Sequence, residues 1–389
     1  MFDDSFHAEC PPAGCRSPRR VPDLPLTIFF SRQRRPGKWG YALVSDRVAS
    51  FPMPAAPVFD APVPAQPPAA FDAGWLDVGQ GHRVYYEQAG KAGGIPVVLL
   101  HGGPGSGSSP RQRVFYDPAL FRIVQFDQRG SGRSEPMGET AHNHTAALVG
   151  DIERLREHLG IARWLVSGGS WGSTLALAYG AQHRERVSGV VLRAIFLAGR
   201  ADVAWYFDGS RAVAPQAHEQ FMAQIPLRWR RRVPQYLQRS LSGGDADKCE
   251  RLATAWMRYE AALNGPDPAL PQAVPPPAGG AVSLCAKYKV QAHYLAQRCF
   301  LGHAAVLRAA EALSGLPVAM IHGTRDLICL PQGAWRAHRA CRGSRLAWAH
   351  GAGHDPFHPN MDALMREALA CFAENGDFSR WPAAGAQPP

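Results

Sequence analysis

Two hydrophobic periods alternate along the middle of the chain. Some runs are continuously apolar or rich in β-branched and aromatic residues, which favours buried strands. Between them, AALVGDIERLREHLG has apolar residues at helical spacing, and a second helix is predicted from Trp171. The strand-like runs are HRVYYEQAG, IPVVLLHGG, FRIVQFDQRG, ARWLVSGGS and VSGVVLRAIFL. Strands that alternate with helices predict an α/β fold with a mainly parallel sheet covered by helices.

The pattern changes on both sides of this region. After it, Trp-, Tyr-, Arg- and Gln-rich helical segments replace the strands, until LPVAMIHGTRD and SRLAWAHGAGH restore them before a last helix at about 360–374. The beginning of the chain contains PMPAAPVFDAPVPAQPPAA, which is low in complexity and typical of a solvated, extended segment. The predicted parts are an N-terminal extension at 1–70, an α/β core at 71–198 and 315–380, a helical cap at 199–314 and a flexible tail at 381–389.

The composition is that of a globular protein with an excess of basic residues. Of 389 residues, 46% are hydrophobic and 19% are charged, and 42 Lys and Arg against 32 Asp and Glu give a formal net charge of +10. The basic run RWRRRVP could contact nucleic acid, but no nucleic-acid motif accompanies it and a solvated helix face is the commoner explanation. No stretch reaches the roughly 20 apolar residues that span a bilayer. We expect neither a nucleic-acid nor a membrane partner.

The eight cysteines are scattered without a CxxC pair. This spacing suits reduced thiols better than a disulfide framework or a zinc site. The chain opens with acidic residues, and the apolar run LPLTIFF is short and contains a proline, unlike a signal peptide. These features together predict a cytoplasmic protein.

The segment Gly168-Gly169-Ser170-Trp171-Gly172 fits the pattern G-x-S-x-G between a predicted strand and a predicted helix. A sharp turn there strains the serine backbone and leaves no room for side chains two residues away, which explains the glycines. The turn would project Ser170 Oγ above the sheet and leave the Trp171 backbone N–H free to face developing negative charge. We interpret Ser170 as a nucleophile rather than as part of a chance glycine–serine turn.

A serine nucleophile needs a base, and the base needs an orienting acid. Where the serine lies between a strand and a helix in this way, the three residues occur along the chain in the order serine, aspartate, histidine. Asp326 follows the strand-like run PVAMIHG, and His354 follows RLAWAHG on a glycine-flanked loop. His350 is a rival base, but it ends the strand itself. The sequence predicts that Asp326 and His354 converge on Ser170 from the carboxyl ends of two strands.

The glycine-rich loop HGGPGSGSS follows an early buried strand and begins at His101. We expect it to supply the second donor of an oxyanion hole, because its glycines let backbone N–H groups approach a reacting carbonyl. A phosphate-binding loop is the alternative, but it would require a helix opening directly on the loop and a lysine, and neither is evident. His101 is expected to anchor the loop and not to act as a second base.

Together these motifs resemble the proline iminopeptidases, which are serine peptidases of the α/β-hydrolase fold. Over about residues 72–375 the resemblance rests, in order, on HGGPG, DQRGSGRS, GGSWGSTLAL, LRAIFLAGR and GTRDLICLP. It implies an α/β-hydrolase core with an inserted cap, and a catalytic triad of Ser170, Asp326 and His354. It also implies that the backbone N–H groups of Gly103 and Trp171 form the oxyanion hole. No metal and no other cofactor is expected.

The resemblance further implies small peptides with N-terminal proline as substrates. Phe196, Tyr206 and Cys329 match residues that line an apolar slot for the proline ring. In the family, acidic residues on the cap hold the amino group, and Glu260 in AWMRYEAAL matches one of them. The second falls in VQAHYL, where Gln291 stands in place of the expected glutamate. Glutamine can accept a hydrogen bond but carries no charge.

Three functions remain open from the sequence. The first is a serine exopeptidase that releases N-terminal proline through an acyl-enzyme intermediate. The second keeps the same triad and acts on a different small acyl substrate, as an esterase, lactonase or amidase, with Gln291 as the sign of changed specificity. The third is a non-catalytic binding protein on a hydrolase scaffold, against which the intact serine, base, acid and glycine loop argue. The fold alone does not separate the first two.

Overall fold

A computed structural model of the chain describes residues 66–264 and 280–381. Residues 1–65 of the predicted extension, most of the proline-rich segment NGPDPALPQAVPPPAGG, and residues 382–389 of the predicted tail lie outside the described residues. The boundaries between extension, core, cap and tail stay predictions.

Strands from both ends of the described chain form one sheet. They are β1 (Ala70–Gly79), β2 (His82–Gly90), β3 (Ile95–Leu100), β4 (Phe121–Phe126), β5 (Trp164–Gly169), β6 (Val187–Arg193), β7 (Val318–Gly323) and β8 (Arg345–Ala349). The order across the sheet is β1-β2-β4-β3-β5-β6-β7-β8. β2 is antiparallel to both of its neighbours, and every pair from β4 to β8 is parallel. The mainly parallel sheet of an α/β fold is confirmed.

Nine of the ten α-helices in the described ranges lie in connections between parallel strands, and the last one follows β8. The helices are α1 (Thr145–His158), α2 (Trp171–Gln182), α3 (Arg200–Phe207), α4 (Pro215–Met222), α5 (Val233–Leu241), α6 (Ala246–Asn264), α7 (Gly280–Ala296), α8 (Gly302–Ala312), α9 (Pro331–Ala340) and α10 (Pro359–Asn375). The six helices α3 to α8 all fall between β6 and β7, where the sequence loses its strand pattern. Among the helices in the described ranges, none combines the length and the hydrophobicity that crossing a bilayer requires.

The central strands are apolar because both of their faces are covered. Successive residues of β3 alternate between two hydrophobic cores: Val98 belongs to the core that includes Leu175 of α2, and Val97 to the core that includes Leu369 of α10. Both valines are fully buried. This period of two places one layer of helices on each side of the sheet, so the carboxyl ends of the parallel strands are left as the edge on which loops can build a site.

Aromatic side chains hold together the helices between β6 and β7. The Phe221 ring of α4 stacks on Tyr259 of α6 at 4.8 Å between centroids, and Trp256 of α6 lies 4.8 Å from the Tyr288 ring of α7. Trp256, Tyr259 and Leu263 recur at helical spacing on the buried face of α6. This packing fixes α6 and α7 side by side, so residues at the edge of their contact face the same space.

The edge strand β1 was not predicted from the sequence. Its pattern in AFDAGWLDVG lacks a clear alternation, since most of its residues are exposed and Val78 is its one buried position. It pairs with β2 along a single edge, where backbone hydrogen bonds need no apolar face. The final helix, in contrast, runs from Pro359 to Asn375, within one residue of the predicted limits at each end.

Candidate active site

Ser170 forms the one-residue turn between β5 and α2. Its backbone has φ 56° and ψ −127°, a region that non-glycine residues rarely adopt and that costs conformational energy. Hydrogen bonds hold the turn on both sides: the Ser170 N–H donates to the Arg193 carbonyl at 3.1 Å, and the Ser170 carbonyl accepts from the Ser173 N–H at 2.9 Å. The strain is thus maintained by the surrounding backbone, and it keeps the serine at the strand's carboxyl end.

The two outer glycines of the motif are required by close backbone contacts. A Cβ added to Gly168 would collide with the carbonyl oxygen of Gly172, and one added to Gly172 would collide with the carbonyl oxygen of Leu100 at the end of β3. The chain therefore turns within a space that admits no side chain at either position, as the motif indicates.

Asp326 and His354 meet across the loops that follow β7 and β8. His354 Nδ1 lies 2.8 Å from Asp326 Oδ2. The other carboxylate oxygen, Oδ1, accepts the backbone N–H groups of Ile328 at 2.9 Å and Cys329 at 2.8 Å. Because an ionised carboxylate only accepts, the proton of neutral His354 resides on Nδ1 and leaves Nε2 as a base.

Asp326 remains ionised although it is buried. Burial by itself would raise the pKa of Asp326, but the neighbouring His354 and His322 imidazoles and the Cys329 N–H together bring that pKa below its ordinary value. His322 is not a second base: its Nδ1 accepts the Ile195 N–H at 3.0 Å, so its Nε2 donates to the Cys329 carbonyl at 2.8 Å. Burial also lowers the pKa of His322, which favours this neutral form.

The rival His350 is exposed and does not line the cavity that contains Ser170. Its carbonyl accepts a hydrogen bond from Asn360 Nδ2 at 2.7 Å. His354, four residues later, lies on the loop that returns to Asp326. The geometry therefore associates His354, rather than His350, with the buried carboxylate.

Ser170 and His354 line the same cavity, whose volume is about 1060 Å³. Within the described ranges no hydrogen bond joins Ser170 Oγ to His354. Catalytic hydrogen bonds of this kind are often long without substrate and shorten in the substrate complex. The cavity thus brings together the predicted nucleophile and base, while Asp326 lies behind His354.

The predicted oxyanion donors come from two separate elements. Trp171 is the first residue of α2, and Gly103 lines the cavity on the loop after β3. In the part of the chain that the structure describes, neither amide donates to a backbone carbonyl. The N–H groups of a helix's first turn have no partner within the helix, so the Trp171 N–H is suited to an anionic oxygen.

His101 anchors the glycine loop. Its Nε2 accepts the Gln128 N–H at 3.0 Å, so its proton is on Nδ1, which lies 2.9 Å from the Gly102 carbonyl oxygen. Gln128 in turn donates from Nε2 to the His101 carbonyl at 3.0 Å. Burial lowers the pKa of His101, consistent with a neutral ring in which each nitrogen makes a hydrogen bond.

Phe196, Tyr206 and Cys329, the three predicted slot residues, all line the cavity. Tyr206 and Cys329 are buried, and Phe196 is half-buried. Burial raises the pKa of the Cys329 thiol well above its usual value, and the nearby Asp326 carboxylate raises it further. The thiol therefore stays protonated and serves as apolar wall rather than as a competing nucleophile.

Glu260 is the centre of a polar cluster at another wall of the cavity. Its Oε1 accepts from Tyr206 Oη at 3.0 Å and from Gln291 Nε2 at 2.5 Å. Its Oε2 accepts from Tyr288 Oη at 2.8 Å and lies 3.3 Å from Lys287 Nζ. Burial alone would raise the pKa of Glu260, but the Lys287 ammonium and these donors outweigh it and hold the pKa below its ordinary value. The carboxylate is thus charged, and each of its oxygens already has partners within the protein.

A family model for the alpha/beta hydrolase fold matches residues 95–360. A proline iminopeptidase of Xylella fastidiosa is 40% identical over 311 residues, which cover 76% of this chain and 95% of that protein. The proline iminopeptidase of Neisseria gonorrhoeae is 38% identical over 300 residues, with 76% and 94% covered. The chain belongs to the proline iminopeptidase family of α/β hydrolases. A plant relative, the proline iminopeptidase of Arabidopsis thaliana, is 38% identical over 299 residues and is covered to 78%.

Solved structures share the fold of this proline iminopeptidase family member at lower identity. VinJ has a TM-score of 0.56 at 19% identity, covering 79% of this chain and 99% of VinJ. MGS-M2, an alpha/beta hydrolase from a deep-sea metagenome library, has a TM-score of 0.51 at 18% identity, with 77% and 97% covered. The α/β-hydrolase fold expected from the motifs is confirmed.

Sequence patterns gave no indication of three further residues at or behind the cavity wall in this proline iminopeptidase family member. Lys287 and Tyr288 precede Gln291 by four and three positions, and this helical spacing could have placed them on the same side of the helix as Gln291. Arg193 ends β6, and its guanidinium lies so close to Gly169 that a Cβ there would collide with it. Lys287 and Arg193 line the cavity. Each adds a positive charge that the motif for the nucleophile does not reveal.

Proposed function

We propose that the chain is a serine exopeptidase that releases N-terminal proline from small peptides. The observation that carries this proposal is the imidazole of His354, held by Asp326 and lining one cavity with Ser170, in a chain that belongs to the proline iminopeptidase family. A base positioned by a buried carboxylate beside a strained serine is what acyl transfer requires.

In the proposed reaction, Ser170 Oγ attacks the prolyl carbonyl carbon and His354 Nε2 takes the hydroxyl proton. The carbonyl oxygen becomes an oxyanion that accepts the N–H groups of Gly103 and Trp171. His354 then donates its proton to the leaving amine, the C–N bond breaks, and an ester joins proline to Ser170. Water loses a proton to His354, attacks this ester and releases proline, and His354 returns the proton to the serine. The steps use no metal and no other cofactor.

The cavity supplies the two kinds of contact that an N-terminal proline needs. Phe196, Tyr206 and Cys329 offer an apolar wall for the ring. Glu260 offers a carboxylate for the ring nitrogen, and Gln291 offers an amide oxygen. We assign these five residues to substrate binding on the strength of their shared cavity. The cytoplasmic location and the absence of nucleic-acid and membrane partners stay predictions.

Initial rates on a small set of chromogenic substrates test the proposal. We expect the arylamide of proline to be cleaved faster than those of alanine and leucine, because the slot accommodates a compact ring. An N-blocked proline arylamide should be cleaved poorly, since a blocking group would occupy the space beside Glu260. Equal rates on free and blocked proline, together with faster hydrolysis of short acyl esters, would favour the esterase or amidase alternative. The balance of charge around Glu260 is the observation that gives this alternative weight.

A further inference from the structure

The polar wall of the cavity contains a cation as well as a carboxylate. Lys287 Nζ lies 3.3 Å from Glu260 Oε2 and 4.5 Å from the centre of the Tyr288 ring. The Lys287 and Glu260 side chains are 28% and 18% exposed, so water screens the pair only in part. Glu260 thus has a counter-charge from the protein itself.

The backbone of α7 holds Lys287 beside the glycine loop. A Cβ on Gly105 would lie 2.5 Å from the Lys287 carbonyl oxygen and 3.2 Å from Val290 Cβ. Gly105 also has φ +95°, a conformation that glycine adopts without strain. This contact seats α7 against the loop that follows β3. Lys287 and Gln291 are one helical turn apart and both reach Glu260.

Gln291 leaves one hydrogen-bonding position unused. Because the Glu260 carboxylate only accepts, the Gln291 atom 2.5 Å from it must be the amide nitrogen. The amide oxygen Oε1 then has no hydrogen-bond partner in the described part of the chain, although Gln291 is 4% exposed. A buried acceptor without a donor is unfavourable, and Gln291 lines the cavity, so a small rotation of its amide towards the cavity would offer Oε1 to a ligand N–H and remove this cost.

We propose that Lys287 is a specificity-determining residue that changes the amine subsite from charge recognition to hydrogen-bond recognition. Lys287 balances the charge of Glu260, and Gln291 Oε1 accepts an N–H of the substrate ring. The inference rests on the proposed function, since it concerns the same subsite. A protonated ring nitrogen can approach Glu260 only in competition with Lys287, so its charge contributes little to binding.

Competitive inhibition of ester hydrolysis tests the inference without requiring peptidase activity. The substrate is 4-nitrophenyl acetate, and the inhibitors are pyrrolidine, a charged five-membered ring, and cyclopentanol, an uncharged ring of the same size. In Lys287→Met, we expect the inhibition constant of pyrrolidine to fall about tenfold and that of cyclopentanol to change less than about twofold, because one nearby positive charge is removed. Lys287→Arg keeps the charge and should retain the wild-type ratio of the two constants.

Lys289→Met is the matched control, because it removes a positive charge from the same helix at a residue that does not line the cavity. It should leave both inhibition constants and the ester rate at wild-type values. If Lys287→Met does not fold, Lys287→Gln provides the same loss of charge with a polar side chain. A pyrrolidine constant that is the same in wild type, Lys287→Met and Lys287→Gln would overturn the inference.

The outcome separates this inference from the proposed function. Cleavage of proline arylamide with no effect of residue 287 on pyrrolidine would leave the peptidase standing and reject the role of Lys287. A tenfold change in the inhibition constant of pyrrolidine, with no cleavage of proline arylamide by any variant, would support the role of Lys287 and reject the peptidase.

Asp202 is the rival partner for the amine. It lines the cavity, and its Oδ2 accepts the Gly199 N–H at 2.7 Å. If Asp202→Asn raised the pyrrolidine constant while Lys287→Met left it unchanged, the cation would bind at Asp202 and the inference would be wrong.

Discussion

The catalytic corner and the polar wall of the same cavity are built in different ways. In the corner, the backbone sets every position: Ser170 follows β5, Asp326 follows β7 and His354 follows β8, and these three strands belong to the parallel part of the sheet. On the polar wall, Glu260 and Lys287 come from two helices, and side-chain length and charge decide what meets. The topology of the sheet thus fixes the catalytic triad, while substrate specificity depends on a few side chains that can be substituted. Relatives can share the triad and differ in substrate specificity.

The largest effect is expected from removing the nucleophile. Ser170→Ala should lower the turnover number for proline arylamide about 10⁶-fold, because no other group in the corner can form the acyl-enzyme. Steady-state kinetics and stoichiometric labelling by a fluorophosphonate measure the loss. The control Ser242→Ala changes an exposed serine and should behave as wild type. Labelling that persisted in Ser170→Ala would place the nucleophile elsewhere.

A smaller but still large loss of activity is expected when Asp326, the acid of the triad, is replaced. Asp326→Asn keeps the shape but can donate to His354, which would put the imidazole proton on the wrong nitrogen. We expect the turnover number to fall about 10⁴-fold. Asp208→Asn, at an exposed aspartate 3.0 Å from Arg211, is the control and should retain full activity. If the acid variant kept more than a tenth of wild-type activity, the pair of Asp326 and His354 would not be the catalytic one.

The tightness of the corner can be tested through stability. In Gly172→Ala the new Cβ would collide with the Leu100 carbonyl, so β3 and α2 would have to move apart. We expect a loss of about 3 kcal/mol in the free energy of unfolding, measured by urea denaturation. Gly93→Ala is the control, because a Cβ at Gly93 meets nothing within 4 Å. Equal stability of the two variants would show that the corner tolerates side chains.

The contrast between the two regions also explains what the sequence could predict. The strand-turn-helix pattern around Ser170 is local, and Asp326 and His354 follow apolar runs that announce their strands. The partners of Glu260 are different: Lys287 is 27 residues away along the chain, and nothing in either helix's own pattern says that the two side chains touch. The edge strand β1 was missed for a related reason, because its pairing with β2 depends on backbone contacts and not on an apolar pattern of its own.

The polar wall should respond to a restored charge. Gln291→Glu should lower the Michaelis constant for proline arylamide about fivefold at pH 8, since a second carboxylate leaves a net negative charge beside Lys287. The gain should shrink as the pH falls, because two adjacent carboxylates raise the pKa of one of them. Gln112→Glu adds the same charge on a different wall of the cavity and is the control. An equal gain in both variants would mean that the cavity responds only to its total charge.

The smallest effect concerns the pairing of Lys287 with Glu260 in the folded protein. The pKa of Glu260 is below its ordinary value, so its contribution to stability is present above about pH 4.3 and is lost as the pH falls through the folded-state pKa. The Lys287→Met substitution removes the largest of the interactions that offset the desolvation of the Glu260 carboxylate. The unfolding free energy of wild type should therefore exceed that of Lys287→Met by under about 1 kcal/mol at pH 7, and this difference should disappear towards pH 3.

Urea denaturation across this pH range measures the difference, with Lys91→Met, at an exposed lysine, as the control. A difference that stayed constant from pH 7 to pH 3 would mean that Lys287 stabilises the fold through its packing, and that the carboxylate of Glu260 keeps its charge by means of its three neutral donors alone.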